Sequence, residues 1–108
     1  MTDSDAAVVA ECQAMAETWA PVLRPLGNQD RLLIVHWLAG TDGSVRHLEK
    51  VTGLSQSLVS YHLAELRKSG LVTATAVGRT NRYALSRPEV DSLAGLLCGL
   101  DATGNPTV

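Results

Sequence analysis

The chain has 108 residues, a length that fits one domain (1–108) with a single hydrophobic core and no second one. It contains no apolar run of about 18 residues, and its opening MTDSDAAVVAEC is acidic, unlike a secretory signal, so a cytoplasmic protein without a membrane partner is expected. The formal net charge of -2 disfavours a nucleic-acid partner only on average, because the field at a site is set by charges within about 8 to 10 Å.

In chain order the pattern is mainly α. From Ser4 to Ala20, residues Ala7, Val8, Cys12, Met15 and Trp19 recur at helical spacing, and Pro21 is expected to close the run. The connector PVLRPLG leaves room for a turn of helix. Asn28 offers a side-chain cap for a second helix through Ala39, with Leu33, Ile34, Trp37 and Leu38 as its buried stripe and Gly40 as a left-handed stop. After the turn TDG, Ser44 caps a short third helix carrying Val45, Leu48 and Val51, and Gly53 ends it. Ser55 caps a fourth helix that runs to about Ser69 before Gly70.

Two short helices joined by a tight glycine-containing turn make a helix-turn-helix. The β-branched LVTATAV, the turn GRTN and the strand RYAL then predict a hairpin, which in this position is a wing. Ser86 and Glu89 have the spacing of a capping box and open a last helix with Val90, Leu93, Ala94, Leu97 and Leu100 on one face. The segment 101–108 is a polar tail. The expected fold is therefore five helices with a small β-hairpin: a winged helix-turn-helix whose core spans about 26–85, flanked by helices over about 4–20 and 87–100.

The fourth helix separates two surfaces. At about 100° per residue, Leu58, Val59, His62, Leu63 and Leu66 share one arc, while Ser57, Ser60, Tyr61, Ala64, Arg67 and Lys68 fill the other. An outer face of this kind is either an ordinary solvated surface or a reader of DNA. Hydroxyl and amide groups near its start, on Ser55, Gln56, Ser57 and Ser60, can bond base edges, and the cations at its end suit phosphates. Ala64 allows close approach.

The surrounding charge favours DNA. From Ser55 to Arg87 the chain carries Arg67, Lys68, Arg79, Arg82 and Arg87 against Glu65 alone. Arg79 and Arg82 are expected near the wing tip, where cations reach phosphates or the minor groove. An enzyme is disfavoured, since no nucleophile, base and orienting group share a surface. Ser60 and His62, two apart on a helix, point different ways.

The run LGNQDRLLIVHWLAG, the stretch LSQSLVSYHLAELRKSGLV and the closing GRTNRYAL resemble the ArsR/SmtB family of bacterial winged-helix transcriptional regulators over roughly residues 26–85. The resemblance implies a homodimer built on the first and last helices that binds double-stranded operator DNA, most often as a repressor released by an inducer. The apolar faces of the two end helices, too extensive for so small a domain to bury alone, agree with a dimer.

Sensing is where the chain departs from that family. A family metal site at the start of the third helix uses C-x-C-D-L, matched here by Ser44, Val45, Arg46, His47 and Leu48. A second uses D-x-H on the last helix, where Asp91 is followed by Ser92 and Leu93. No usual metal site is expected, and a transition-metal effector has no ligand motif to support it. Cys12, Cys98 and His47 remain as effector candidates: the thiols as a redox or soft-metal pair, or as small packed hydrophobes. The absent ligands leave open a second reading, a winged-helix protein-interaction module or DNA-binding subunit whose sensing is done by a partner protein.

Overall fold

The computed structural model describes residues 3–98. Leu100 and the tail 101–108, expected on the last helix and beyond it, lie outside the described residues. Helix α1 (Asp3–Leu23) is followed by a 3-10 turn (Arg24–Leu26), then α2 (Gln29–Leu38), α3 (Val45–Thr52), α4 (Gln56–Lys68), strands β1 (Val72–Val77) and β2 (Thr80–Leu85), and α5 (Arg87–Cys98).

Local chemistry starts the middle helices where it was expected. The Asn28 side chain accepts from the Arg31 backbone N–H at 3.1 Å, Ser44 from His47 at 3.2 Å and Ser55 from Leu58 at 3.3 Å. Each satisfies a donor that the first turn leaves without an intrahelical partner. Gly53 closes α3 at φ 75° and Gly70 follows α4 at φ 85°, left-handed values that a side chain would strain.

Two expected stops differ. Helix α1 continues through Pro21 to Leu23. Proline there lacks the one N–H that would bond back to Glu17, yet only two more residues follow, and Val22 packs against the core. Gly40 does not adopt a left-handed conformation. Its N–H bonds the Trp37 carbonyl at 3.1 Å, so a tightened last turn ends α2 without one.

The core consists of Ile34, Leu38, Leu48, Val59, Leu63, Leu66, Leu71 and Val72. Helix α2 enters it along the Ile34–Leu38 line, with Trp37 half-buried. Leu33, expected in the buried stripe, is 43% exposed, since the next residue is rotated by about 100° and it is Ile34 that meets α3 and α4. Leu58 of α4 is likewise 44% exposed. The four buried residues of α4 span about 100° of arc and Leu58 falls about 40° outside it. Val51 of α3 is also exposed.

The hairpin pairs Val72 with Leu85 through to Val77 with Thr80. The expected four-residue GRTN turn is thus a two-residue connection, Gly78–Arg79. Gly78 has φ 63° while Arg79 keeps a negative φ, the sign pattern of a type II′ turn, whose twist matches the strands it joins. Gly43 adds a bridge to the far side of β2, exchanging backbone bonds with Tyr83 at 2.9 and 2.7 Å. The Ser86–Glu89 capping box is not formed: the Ser86 N–H donates to the Leu71 carbonyl at 2.9 Å and has no need of Glu89.

The end helices are left open. From Asp5 to Thr18 the residues of α1 are exposed, and α1 meets its own chain through its last turn and the 3-10 turn rather than along α5. Helix α5 rests on the core through Leu93, while Leu97 is 72% exposed. The result is an elongated body of 57 × 24 × 20 Å.

Candidate nucleic-acid interface

The back of α4 is fixed by Val59, His62, Leu63 and Leu66, all buried. That anchoring turns Gln56, Ser57, Ser60, Tyr61, Ala64, Arg67 and Lys68 outward, and all of them are exposed, as is the capping Ser55. The expected reader face is therefore one continuous strip. Its cations lie in the last turn, where they also complement the negative end of the helix dipole. Lys68 pairs with Glu65 at 3.1 Å across one turn, an exposed ion pair that competing phosphate can open at little cost.

The two wing arginines are placed differently. Arg79 stands exposed at the tip of the hairpin. Arg82 is set back from it, paired across the sheet with Thr75. Its guanidinium grips Asp42 in a fork, Nη2 to Oδ1 at 2.8 Å and Nε to Oδ2 at 3.2 Å. The hydrogen bond from Arg82, and then its charge, hold the Asp42 carboxyl below the usual carboxylate range, and the same bond raises Arg82. A depressed carboxylate contributes above its unfolded value and stops contributing as pH falls through its folded value. The clasp is thus intact at neutral pH and opens only in acid below the ordinary aspartate range.

Between the wing and the start of α3 lies an open cleft of about 580 Å³, lined by Ser44, Arg46, Glu49, Gln56, Asn81 and Arg82. Arg46 is a further cation beside Gln56 in this cleft, outside the residues that helical period and wing position single out. A signal for it existed: a cation in the first turn of a helix opposes the dipole, so its place there invites a reason outside helix stability.

The effector candidates are not brought together as a site. Cys12 and Cys98 are free and exposed, on α1 and α5, so neither is packed as a small hydrophobe within the chain. His47 stacks on Trp37, with ring centroids 5.4 Å apart. Among the described residues no group of three or more His, Cys, Asp or Glu side chains is arranged to hold a metal ion, and no helix is long and apolar enough to cross a membrane. His62 is 4% exposed, a core histidine whose side chain, among the described residues, hydrogen-bonds Arg31 alone.

Comparison with known proteins agrees with this geometry. Residues 28–74, from the α2 cap into β1, match the model of "Bacterial regulatory protein, arsR family". The chain is 34% identical over 90 residues to the HTH-type transcriptional regulator YgaV of Escherichia coli, covering 82% of this chain and 91% of that one. It is similar in structure to reduced HlyU from Vibrio cholerae, with a TM-score of 0.70, 36% identity, and 81% and 92% of the two chains covered. HlyU is described as a transcriptional activator. The homodimeric winged helix-turn-helix DNA-binding domain of Mb0332 from Mycobacterium bovis aligns with a TM-score of 0.67 and 28% identity over 91% of this chain and 84% of that one. The family match runs from the α2 cap through α4 into β1, the curated relative aligns over 82% of this chain, and the chain belongs to the ArsR family of bacterial winged helix-turn-helix transcriptional regulators.

Proposed function

We propose that the protein acts in the cytoplasm as a homodimer, joined through α1 and α5, that binds a two-fold related operator and represses transcription by occupying it. The observation that carries this reading is the continuous exposed strip Ser57, Ser60, Tyr61 and Ala64 on a helix whose back is fixed by four buried residues. Gln56, Ser57 and Ser60 read base edges, and Arg67, Lys68 and Arg79 hold phosphates. The exposed Val8, Val9, Met15 and Leu97 supply an apolar face for the second copy, and the relative Mb0332 is homodimeric. Repression needs only occupancy, whereas activation, the output named for HlyU, needs a further contact or a displaced competitor. Cys12 and Cys98 are the groups through which an oxidant or a soft metal would reach the dimer helices.

Selection from random duplex DNA, followed by mobility-shift titration over a range of salt, tests the reading. Wild-type protein is expected to enrich a two-fold related sequence, and enrichment of none would sink the proposal. Arg79→Ala should weaken binding to all duplexes alike and lower the salt slope by about 1, while Gln56→Ala should change the preferred bases at a cost of about 1 to 3 kcal/mol. Titrating the complex with peroxide and with zinc, and repeating this with Cys12→Ser and Cys98→Ser, separates the effector classes.

The Asp42 clasp makes its own prediction. Asp42→Asn is expected to release Arg82 to the phosphates, tightening binding to random duplex and raising the salt slope by about 1. Fluorescence anisotropy with a labelled random duplex reads both quantities. An unchanged slope would mean that Arg82 stays out of reach of DNA.

A further inference from the structure

Arg31 begins in the first turn of α2 and touches three other parts of the molecule at once. Its Nε donates to His62 Nδ1 at 3.1 Å, and its Nη1 donates to the Pro25 carbonyl at 3.3 Å, in the turn that follows α1. Its Cζ lies 5.6 Å from the centroid of the Tyr61 ring, a distance at which a guanidinium is held by the aromatic face. Tyr61 is 54% exposed on the reader strip, and its ring also meets that of His62 at 5.3 Å.

His62 is held by a hydrogen bond at Nδ1 alone. Accepting at Nδ1 places its proton on Nε2, because a donor at both nitrogens would set an N–H against the Arg31 N–H. Nε2 has no hydrogen-bond partner. The nearest carboxylate, Asp30 Oδ2, is 3.7 Å away, beyond hydrogen-bond length. Among the described residues, the charged or titratable groups that meet the imidazole are Asp30, Arg31 and Tyr61. Consecutive residues at the start of α2 therefore bracket a side chain buried on the back of α4.

The guanidinium is a planar fork whose donors cannot be re-aimed independently. If the turn after α1 shifts, Nη1 can follow Pro25 only by tilting Nε away from His62 or by lifting the plane off Tyr61. We propose that Arg31 is a positioning residue: it sets Tyr61 on the reading surface and transmits the seating of α1 to it. The proposal rests on the DNA-reading function given above and names a route by which events at the dimer helices reach the recognised bases.

The test uses the 108-residue chain, the duplex selected by wild-type protein, and a random duplex of equal length. Arg31→Met and Arg31→Lys should both fold and bind the selected duplex about 3- to 30-fold more weakly, with random-duplex binding unchanged. Tyr61→Ala should add little in the Arg31→Met background, because the two act as a unit. Wild-type-like binding by both Arg31 variants, an equal loss on both duplexes, or full additivity with Tyr61→Ala would each overturn the proposal.

A measurement on unsubstituted protein guards against variants that fail to fold. In long-range 1H–15N spectra His62 should be the Nε2–H tautomer with an accepting Nδ1, and its resonances should move on adding the selected but not the random duplex. An Nδ1–H tautomer, or no response to the selected duplex, counts against the proposal. A wild-type protein that selects no sequence defeats the underlying DNA-reading function, and is told apart because it appears before any substitution.

Discussion

Met15→Asp is expected to turn the protein into a monomer and to weaken operator binding by about 10²- to 10⁴-fold, the range lost when two linked contacts become one. The reason lies in how little of α1 is supported. A helix of 21 residues is about 30 Å long, and here only its last turn packs on its own chain, through Val22. Val8 and Met15 are exposed along its apolar line. A helix in water without a packed face gains little from propensity alone, so a second copy is what would hold it. An aspartate in that line would be buried without a partner in the dimer, at a cost of several kcal/mol. Sedimentation equilibrium of Met15→Asp beside Gln13→Glu, on the opposite side of the helix, reads the effect. A Met15→Asp protein that remains dimeric would remove α1 from the interface.

Leu66→Ala should be strongly destabilising, lowering Tm by about 8 to 40 °C. Removing a fully buried leucine costs about 2 to 5 kcal/mol, and each kcal/mol moves a domain of this size by about 4 to 8 °C. Leu66 is 0% exposed, in the last turns of α4 just before the chain passes through Leu71 and Val72 into the wing. Its loss loosens the joint between α4 and the hairpin. Thermal unfolding by circular dichroism, with the exposed Val77→Ala as control, measures it. The control should stay within about 0.5 kcal/mol of wild type, and a Leu66→Ala shift no larger than the control's would contradict the packing described here.

What could be read from sequence and what could not divide along a physical line. Asn28, Ser44 and Ser55 were legible as helix starts because a cap is settled by atoms three residues apart. Gly53 and Gly70 are legible as stops because glycine alone takes the left-handed conformation freely, yet Gly40, equally legible, ends α2 without it by bonding the Trp37 carbonyl. The outward side of α4 followed from helical period alone, which is why Ser57, Ser60 and Tyr61 were found exposed as expected. Failures came where a distant partner decided the outcome. Pro21 is carried within α1 by packing in the final turn, and the Ser86 N–H is taken by Leu71 from across the hairpin. From sequence Arg82 is a tip cation, because nothing local reveals that Asp42, 40 residues earlier, grips it. The contact between Arg31 and His62 spans 31 residues and leaves no periodic trace. Leu33 and Leu58 differ for a smaller reason: a stripe drawn from period has a direction but no fixed width, and only the packed neighbours set its edge.

The clasp between Asp42 and Arg82 bears on how such a regulator would be distributed in a cell. Anonymous chromosomal duplex outnumbers any single target by many orders of magnitude and competes through phosphate attraction alone. If Arg82 reaches phosphates only once released, as the Asp42→Asn measurement tests, a carboxylate that occupies this wing guanidinium would shorten each futile stop on that bulk sequence. A smaller number of copies would then keep one promoter filled.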